Sequence, residues 1–212
     1  MSAAALERAA DRVRRLATGY EPPDFAHVTD PDAALFLCAV DHRTGYAGPH
    51  TVDGRGPFAG SELMWEAALA RARARPELLR AETLRDVSAA DVAAVFAVDG
   101  DAVGDPERRA ALWRDLATGL LAAYDGTAAA LLGAASGRLG GAEGLIERLA
   151  AFEAYADPLA KKGFLFAKIC ARRGWFAVSD PGSWEVCADN VLMRLALRSG
   201  LVEPGPLAQV RP

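Results

Sequence analysis

Cysteine and histidine are scarce in this sequence, and neither is arranged as a disulfide framework or a metal site. The 212 residues include three of each: Cys38, Cys170, Cys187, His27, His42 and His50. The cysteines are odd in number, lie in apolar or helical stretches and form no CxxC pair, which is typical of buried, reduced thiols. The histidines are scattered and match no ligand spacing such as HExxH. We therefore expect no disulfide, no catalytic metal and no other cofactor.

The sequence also lacks an excess of basic over acidic residues. The formal net charge is -4 and the sequence pI is near 5.5, whereas a protein that neutralises many phosphates usually carries a basic excess. A small molecule is therefore favoured as the partner over extended nucleic acid. Hydrophobic residues make up 51% of the chain and charged residues 25%, so the composition predicts a folded core.

Long apolar runs are missing as well. No segment approaches about 20 consecutive apolar residues, the length that a membrane-spanning helix needs. The N-terminal stretch carries Glu7 and Asp11 and lacks the uninterrupted apolar core of a signal peptide. These absences predict a soluble, cytoplasmic protein without a membrane partner, and they leave its oligomeric state open.

The sequence instead carries a series of helix start signals. Residues that favour the N-cap position predict helix starts at Asp30, Ser61, Ser88 and Asp105. Asp30 and Asp105 are each followed by proline, which also favours a helix start. Ser88 is matched by Asp91 three positions later, as in a capping box. The apolar segment 33–40, after the first of these starts, is either a helix or a short strand.

Apolar periodicity predicts further helices. They cover an N-terminal stripe of Leu6, Val13 and Leu16 and the ranges 106–124, 127–132, 142–155, 161–173 and 186–199. No pair of strands alternates convincingly. The pattern predicts an all-α class, with a single compact helical domain over residues 1–212. Within it we expect an N-terminal helix and linker (1–30), a core (31–202) and a C-terminal tail (203–212).

One long segment, residues 41–60, has no helix signal. It reads DHRTGYAGPHTVDGRGPFAG and contains five glycines and two prolines. Loops of this length in compact domains are usually functional or disordered. The segment matches neither the GxxxxGK[ST] nor the GxGxxG pattern of phosphate-binding loops. Tyr46 within it and Trp65 after it are either rings that stack on a flat base or core anchors.

Two groups of charged residues lie within otherwise apolar helices. Asp189 stands near the start of EVCADNVLMRLAL, where a carboxylate either complements the helix dipole or points into a cleft. In a cleft it could stabilise the positive charge that develops on a sugar as an N-glycosidic bond breaks. Lys161, Lys162 and Lys168 are either solvated side chains or contacts to a phosphate or ribose.

Several segments resemble, in order, the queuosine salvage family, also described as queuosine 5′-phosphate N-glycosylases or hydrolases. The closest match is PERRAALWRDLATGLLAAYDGTAAALL, which resembles the family's helix followed by Phe-Asp-Gly. Its Lys-Arg-Ala-Gln region is resembled by LIERLAAFEAYADPLAKKGFLFAKI, and its Ala-Asp-Tyr-Arg-Val-Pro-Gln segment by VCADNVLMRLALRSGLV. Upstream, VDHRTGY resembles an aromatic loop of the family, and GSELMWEAALARA resembles the helix after that loop. The resemblance spans roughly residues 33–202.

The resemblance implies an all-helical fold related to the helix-hairpin-helix DNA glycosylases. It also implies hydrolysis of queuosine 5′-monophosphate to queuine and ribose 5-phosphate without a metal. Asp189 falls on the family's catalytic aspartate. Asp41, His42 and Tyr46 fall on its base-contacting loop.

The predicted catalytic residue is therefore Asp189. The predicted substrate-binding residues are Asp41, His42, Tyr46, Trp65, Lys161, Lys162, Trp184 and Asn190. Lys161 or Lys162 would hold the phosphate or the polar sugar edge, and Lys168 is the alternative match to the family's lysine. Three residues depart from the family: Asn190, Val191 and Met193 stand where it has Tyr, Arg and Pro. The expected substrate is accordingly queuosine 5′-monophosphate or a related deazapurine or purine nucleotide or nucleoside.

Two alternatives stay open. Lys161 precedes Asp189 by about one helix and a turn, which is compatible with 8-oxoguanine DNA glycosylases, in which a lysine forms a Schiff base. The acidic net charge and the lack of a Leu-Pro-Gly-(Val/Ile)-Gly hairpin disfavour that function. The other alternative is a non-catalytic binding protein on the same helical frame, because the residues after Asp189 have changed.

Overall fold

A computed structural model describes residues 25–188 and 190–198, together with positions 7, 8, 10, 11, 14 and 15. The chain groups into two compact units. One runs from Asp24 to Cys187, and the other combines Met1–Pro23 with Ala188–Pro212. The six positions near the N-terminus are helical, whereas the predicted stripe of Leu6, Val13 and Leu16 lies outside the described residues. The prediction of one domain over 1–212 stays a prediction.

The described part of the larger unit is mainly helical. In chain order its elements are α1 (Pro31–Val40), β1 (His50–Val52), β2 (Arg55–Phe58), α2 (Gly60–Ala74), α3 (Ala81–Leu84), α4 (Ala89–Phe96), α5 (Pro106–Ala123), α6 (Ala128–Ala135), α7 (Leu145–Leu149) and α8 (Lys161–Arg172). Two short 3₁₀ helices cover Glu153–Tyr155 and Pro181–Ser183. In the second unit, α9 covers Asn190–Arg198. The mainly helical prediction is confirmed.

The central element of the larger unit is α1. Asp30 caps it by accepting a 3.0 Å hydrogen bond from the Asp32 amide, and Pro31 occupies its first turn, where a missing N–H costs nothing. Every residue from Asp32 to Val40 is buried, because α1 packs against α5, α6 and α8. The segment 33–40, which the sequence allowed to be a helix or a short strand, is therefore a helix, and it is buried on all sides.

Side chains of other elements bind backbone carbonyls of α1. Trp113 of α5 donates from its indole to the Phe36 carbonyl at 2.7 Å. Tyr155 donates from its hydroxyl to the Leu35 carbonyl at 2.6 Å. Both donors are buried, so these bonds satisfy polar groups that would otherwise destabilise the core. They tie the middle of α1 to α5 and to the 3₁₀ helix Glu153–Tyr155.

The segment 41–60, predicted as a loop, contains an antiparallel hairpin. Strands β1 and β2 pair His50 with Phe58 and Val52 with Arg55. The two turn residues, Asp53 and Gly54, have φ values of 50° and 71°, as a type I′ turn requires. The sequence pattern did not predict this pair of strands, which adds a small sheet to a mainly helical class.

Two helix predictions are wrong in detail. Ser61 does not cap α2, which begins at Gly60 after Ala59, because the Ser61 hydroxyl donates to Asp41 instead. The predicted helix 142–155 is broken into α7 and a 3₁₀ turn. Between them Phe152 takes an extended conformation and is buried in the core.

Cys38 and Cys170 are buried and Cys187 is half-buried, and all three are free thiols. The predicted C-terminal helix 186–199 is shorter, since α9 covers Asn190–Arg198. Within the described part of the chain, no single helix is long and apolar enough to cross a membrane; α5 and α6 reach that length only as a pair bent by 61°.

Candidate polar site at the ends of α1 and α8

Two polar side chains from distant parts of the sequence meet beside the last turn of α1. Lys162, in the first turn of α8, donates from Nζ to the Ala39 carbonyl at 2.6 Å. The same Nζ lies 3.3 Å from Nδ1 of His42. Both side chains are half-buried. The packing of α8 on α1 thus brings the predicted base-contacting loop against the predicted lysine-bearing helix.

His42 and Lys162 line a cavity of about 370 Å³, which has the size of a small-molecule pocket. Its other lining residues are Arg108, Leu112, Glu153, Ala154, Ala156 and Asp157. Arg108 and Glu153 form an ion pair at 2.8 Å, with both side chains about half exposed. The wall therefore carries cations and carboxylates together, a combination that suits a ligand with both anionic and hydroxyl groups.

The environment lowers the pKa of both partners. Burial, followed by the charges of Lys162 and Arg109, lowers the pKa of His42 to about 4. Burial, followed by the charge of Lys161, lowers the pKa of Lys162 to about 8, although Asp41 opposes this shift. At neutral pH His42 is therefore uncharged and Lys162 is mostly an ammonium group. Because an ammonium can only donate, Nδ1 of His42 accepts and its Nε2 carries the ring proton.

A completely buried arginine holds the backbone beside this pair. Nε of Arg109 donates to the Gly104 carbonyl at 2.8 Å, and its guanidinium donates to the carbonyls of His42 at 2.5 Å and Arg43 at 3.1 Å. A further bond goes to the carbonyl of Val40. An arginine fork presents five donors in a fixed plane, so one side chain fixes the whole turn that carries His42.

Arg109 was not predicted as a site residue, although the sequence contains a signal for it. It lies three positions before Leu112 and seven before Leu116, on the stripe that α5 buries. A charged residue on such a stripe is rarely buried without a polar partner. The sequence signal for a buried, hydrogen-bonded arginine is therefore the position of Arg109 among the apolar residues that α5 buries.

The predicted loop residue Asp41 is buried rather than exposed to the cavity. Its Oδ1 accepts a 2.5 Å bond from the Ser61 hydroxyl, and its Oδ2 lies 3.4 Å from the Trp65 indole nitrogen, which donates to it. Trp65 is itself part of the core, with 7% of its surface exposed. Of the two roles left open for Trp65, this position favours the core anchor, and Asp41 ties the loop to α2.

Tyr46 also has a supporting position. Its hydroxyl donates to the Phe96 carbonyl at 2.7 Å, and burial raises its pKa to about 12. The ring packs against the hydrophobic core. Tyr46 therefore anchors the loop on the end of α4.

The other predicted lysines and the tryptophan lie apart from the cavity wall. Lys161 begins α8 with its amide near Asp157, and it is not among the described residues that line the cavity. Lys168 donates to the Glu185 carbonyl at 2.7 Å. Trp184 is half-buried and packs on the core. Among the three lysines, Lys162 is the one that enters the cavity.

The predicted catalytic residue Asp189 and the side chain of Asn190 lie outside the described residues. Among the residues that are described, no group of three or more His, Cys, Asp or Glu side chains is placed to hold a metal ion.

A scan against protein-family models found no match for this chain, and a search of the curated proteins found none either.

Proposed function

We propose that the protein is an N-glycoside hydrolase that releases the free base from a purine-like nucleotide or nucleoside, with queuosine 5′-monophosphate as the first substrate to test. A fold related to the helix-hairpin-helix DNA glycosylases and a cytoplasmic location belong to this proposal. The observation that carries it is the meeting of His42 and Lys162 at one polar cavity. These residues come from the two segments in which the family resemblance predicts base and phosphate or sugar contacts.

The charges of the cavity support a ribose-containing ligand. Lys162 and Arg108 provide cations for a 5′-phosphate, with lysine acting as a point charge and arginine as a fork. Glu153 and Asp157 provide carboxylate acceptors for sugar hydroxyls. The mixture of positively and negatively charged side chains favours a small polar ligand over a long polyanion, in agreement with the net charge of -4.

The assigned chemistry needs a carboxylate close to the sugar. As the bond between C1′ and the base nitrogen breaks, positive charge develops on the ring, and a fixed anion stabilises it or orients the attacking water. Asp189 has this role in the proposal, on the strength of the resemblance.

The test is a base-release assay with purified protein. Queuosine 5′-monophosphate, its nucleoside and ordinary purine nucleotides are supplied side by side, and free base is detected by chromatography. Asp189→Ala is expected to lower kcat by about 10²–10³-fold, as loss of an electrostatic stabiliser does, with an unchanged melting temperature. Asp86→Ala is the matched control, since Asp86 is exposed and forms an ion pair with its neighbour Arg85. Full activity of Asp189→Ala, or no release from any substrate, would contradict the proposal.

One observation favours a second function, base excision from damaged DNA with strand cleavage by a lysine. The lowered pKa of Lys162, caused first by burial, leaves part of the amine uncharged and able to attack C1′. Borohydride would trap the resulting Schiff base as a covalent protein–DNA adduct. An adduct that forms with wild-type protein and 8-oxoguanine DNA, and is lost in Lys162→Gln, would replace the small-molecule assignment.

A further inference from the structure

We propose that Lys162 and His42 form a proton relay that protonates the departing base. The inference rests on the proposed hydrolase function and assigns a step within it. The protonated Lys162 amine supplies a proton to Nδ1 of His42, and Nε2 of the same ring delivers its own proton to the base nitrogen. His42 is thereby a catalytic residue, and Lys162 acts through it.

The geometry supports each half of the relay. Nζ of Lys162 lies 3.3 Å from Nδ1 of His42 and is held in place by its 2.6 Å bond to the Ala39 carbonyl. The backbone of His42 is held by Arg109 through the 2.5 Å bond to its carbonyl. Both relay residues line the cavity. Two rigid anchors, one on each partner, keep the pair aligned as general acid catalysis requires.

The surroundings explain why a relay is needed in place of a simple histidine acid. Arg108, Arg109 and Lys161 are the other cations that act on the pair, and they outweigh the opposing carboxylates, Asp41, Asp105 and Asp157. With a pKa of about 4, set first by burial, His42 does not hold two protons near neutral pH. It can give up its Nε2 proton readily only if Nδ1 receives another in the same step.

The C1′–N bond breaks, and its electron pair moves to the base nitrogen, which takes the Nε2 proton of His42. Nδ1 of His42 takes a proton from Nζ of Lys162. Water adds its oxygen to C1′ and releases a proton to solvent. Lys162 regains a proton from solvent and the ring returns to its starting tautomer, so the net reaction adds one water across the bond.

The test compares two leaving groups. A purine-like base departs poorly from ribose 5-phosphate unless it is protonated, whereas p-nitrophenolate departs from p-nitrophenyl ribofuranoside 5-phosphate as a stable anion. Both substrates carry the 5′-phosphate, so loss of a phosphate contact at Lys162 affects them alike. His42→Gln and Lys162→Gln are expected to lose about 10²-fold or more in kcat with the base substrate, the usual contribution of a general acid. With the p-nitrophenyl substrate they should lose less than about threefold, because no proton is needed there. His27→Gln, at an exposed position, is the matched control.

Equal losses with both substrates would show that the pair only binds sugar or supports the fold, and would overturn the relay while leaving the hydrolase function standing. Unchanged rates with both substrates would overturn it too. Wild-type protein that cleaves neither substrate would overturn the proposed function and the relay with it.

A second measurement needs only wild-type protein. Because Lys162 must be protonated to start the relay, base release should fall as the pH rises through about 8. Release of p-nitrophenol should not fall over that range. Parallel profiles for the two substrates would contradict the relay even if both variants failed to fold.

Discussion

Nζ of Lys162 and Nδ1 of His42 lie 3.3 Å apart although the two residues are 120 positions apart in the chain. Their meeting follows from the position of α1. The helix is buried against α8, and its last turn supplies the Ala39 carbonyl that receives the Lys162 ammonium. His42 follows directly after this turn. The polar pair is therefore a product of hydrophobic packing around one central helix.

Protonation of His42 should make the protein less stable in mild acid. Its pKa in the folded state is about 4, lowered first by burial, whereas an unfolded chain has a value of about 6.5. Between these values the unfolded state binds more protons, so the stabilising contribution is complete above pH of about 6.5 and is lost as the pH falls through about 4. Urea unfolding at about pH 7 and about pH 4.5 should therefore show a larger loss for wild type than for His42→Gln.

The comparison between variants is needed because carboxylates also titrate in mild acid. His27→Gln provides the control, since His27 is exposed, and it should follow the wild-type curve. A His42→Gln protein that loses as much stability as wild type over the same pH interval would show that His42 is not desolvated as described.

Arg109 and Arg108 are neighbours on α5 and should differ sharply in their effect on stability. Arg109 is 0% exposed and binds four backbone carbonyls. Arg109→Met removes the donor of all four of these bonds, so the free energy of unfolding should fall by about 3 kcal/mol or more. Arg108→Met removes an ion pair with Glu153 whose side chains are 46% and 51% exposed, and it should cost less than about 1 kcal/mol.

Denaturant unfolding of the two variants checks this prediction, and Arg109→Lys refines it. Lysine keeps the charge but offers a single nitrogen in place of the planar fork, so its stability should lie between wild type and Arg109→Met. Similar losses for Arg108→Met and Arg109→Met would show that the carbonyl contacts contribute little.

Local signals allowed the helix starts to be predicted. Asp30 before Pro31, Ser88 with Asp91, and Asp105 before Pro106 each satisfy the orphan amides of a first turn with nearby side chains. Capping involves only three or four consecutive residues, so no knowledge of the fold is needed. For the same reason α1, α4 and α5 begin where the sequence predicts.

The errors arose where contacts between distant residues outweigh local preference. Ser61 is a good N-cap residue, but its hydroxyl donates to Asp41, 20 positions away. The hairpin was missed although Asp53-Gly54 is a strong turn signal, because its strands have only three and four residues and lack alternation.

The candidate site was predicted in part. His42 and Lys162 were expected to contact substrate and do line one cavity. Asp41 and Trp65 were expected there as well, but they bind one another behind the loop. From sequence, an acid or an aromatic ring that supports a loop looks the same as one that contacts a ligand, because burial depends on the packing of α2 against the rest of the core.

Two glycines in helix interiors should respond in opposite ways to replacement by alanine. A Cβ at Gly119 of α5 would lie 2.5 Å from Cε1 of Phe152, and Phe152 is 5% exposed, so its ring cannot move aside freely. Overpacking of this kind costs about 1–3 kcal/mol. A Cβ at Gly133 of α6 would meet nothing within 4 Å, so Gly133→Ala should stabilise the helix by about 0.5–1 kcal/mol through propensity alone. Thermal unfolding of the two variants measures both effects. A rise in melting temperature for Gly119→Ala would show that Phe152 is not fixed against α5.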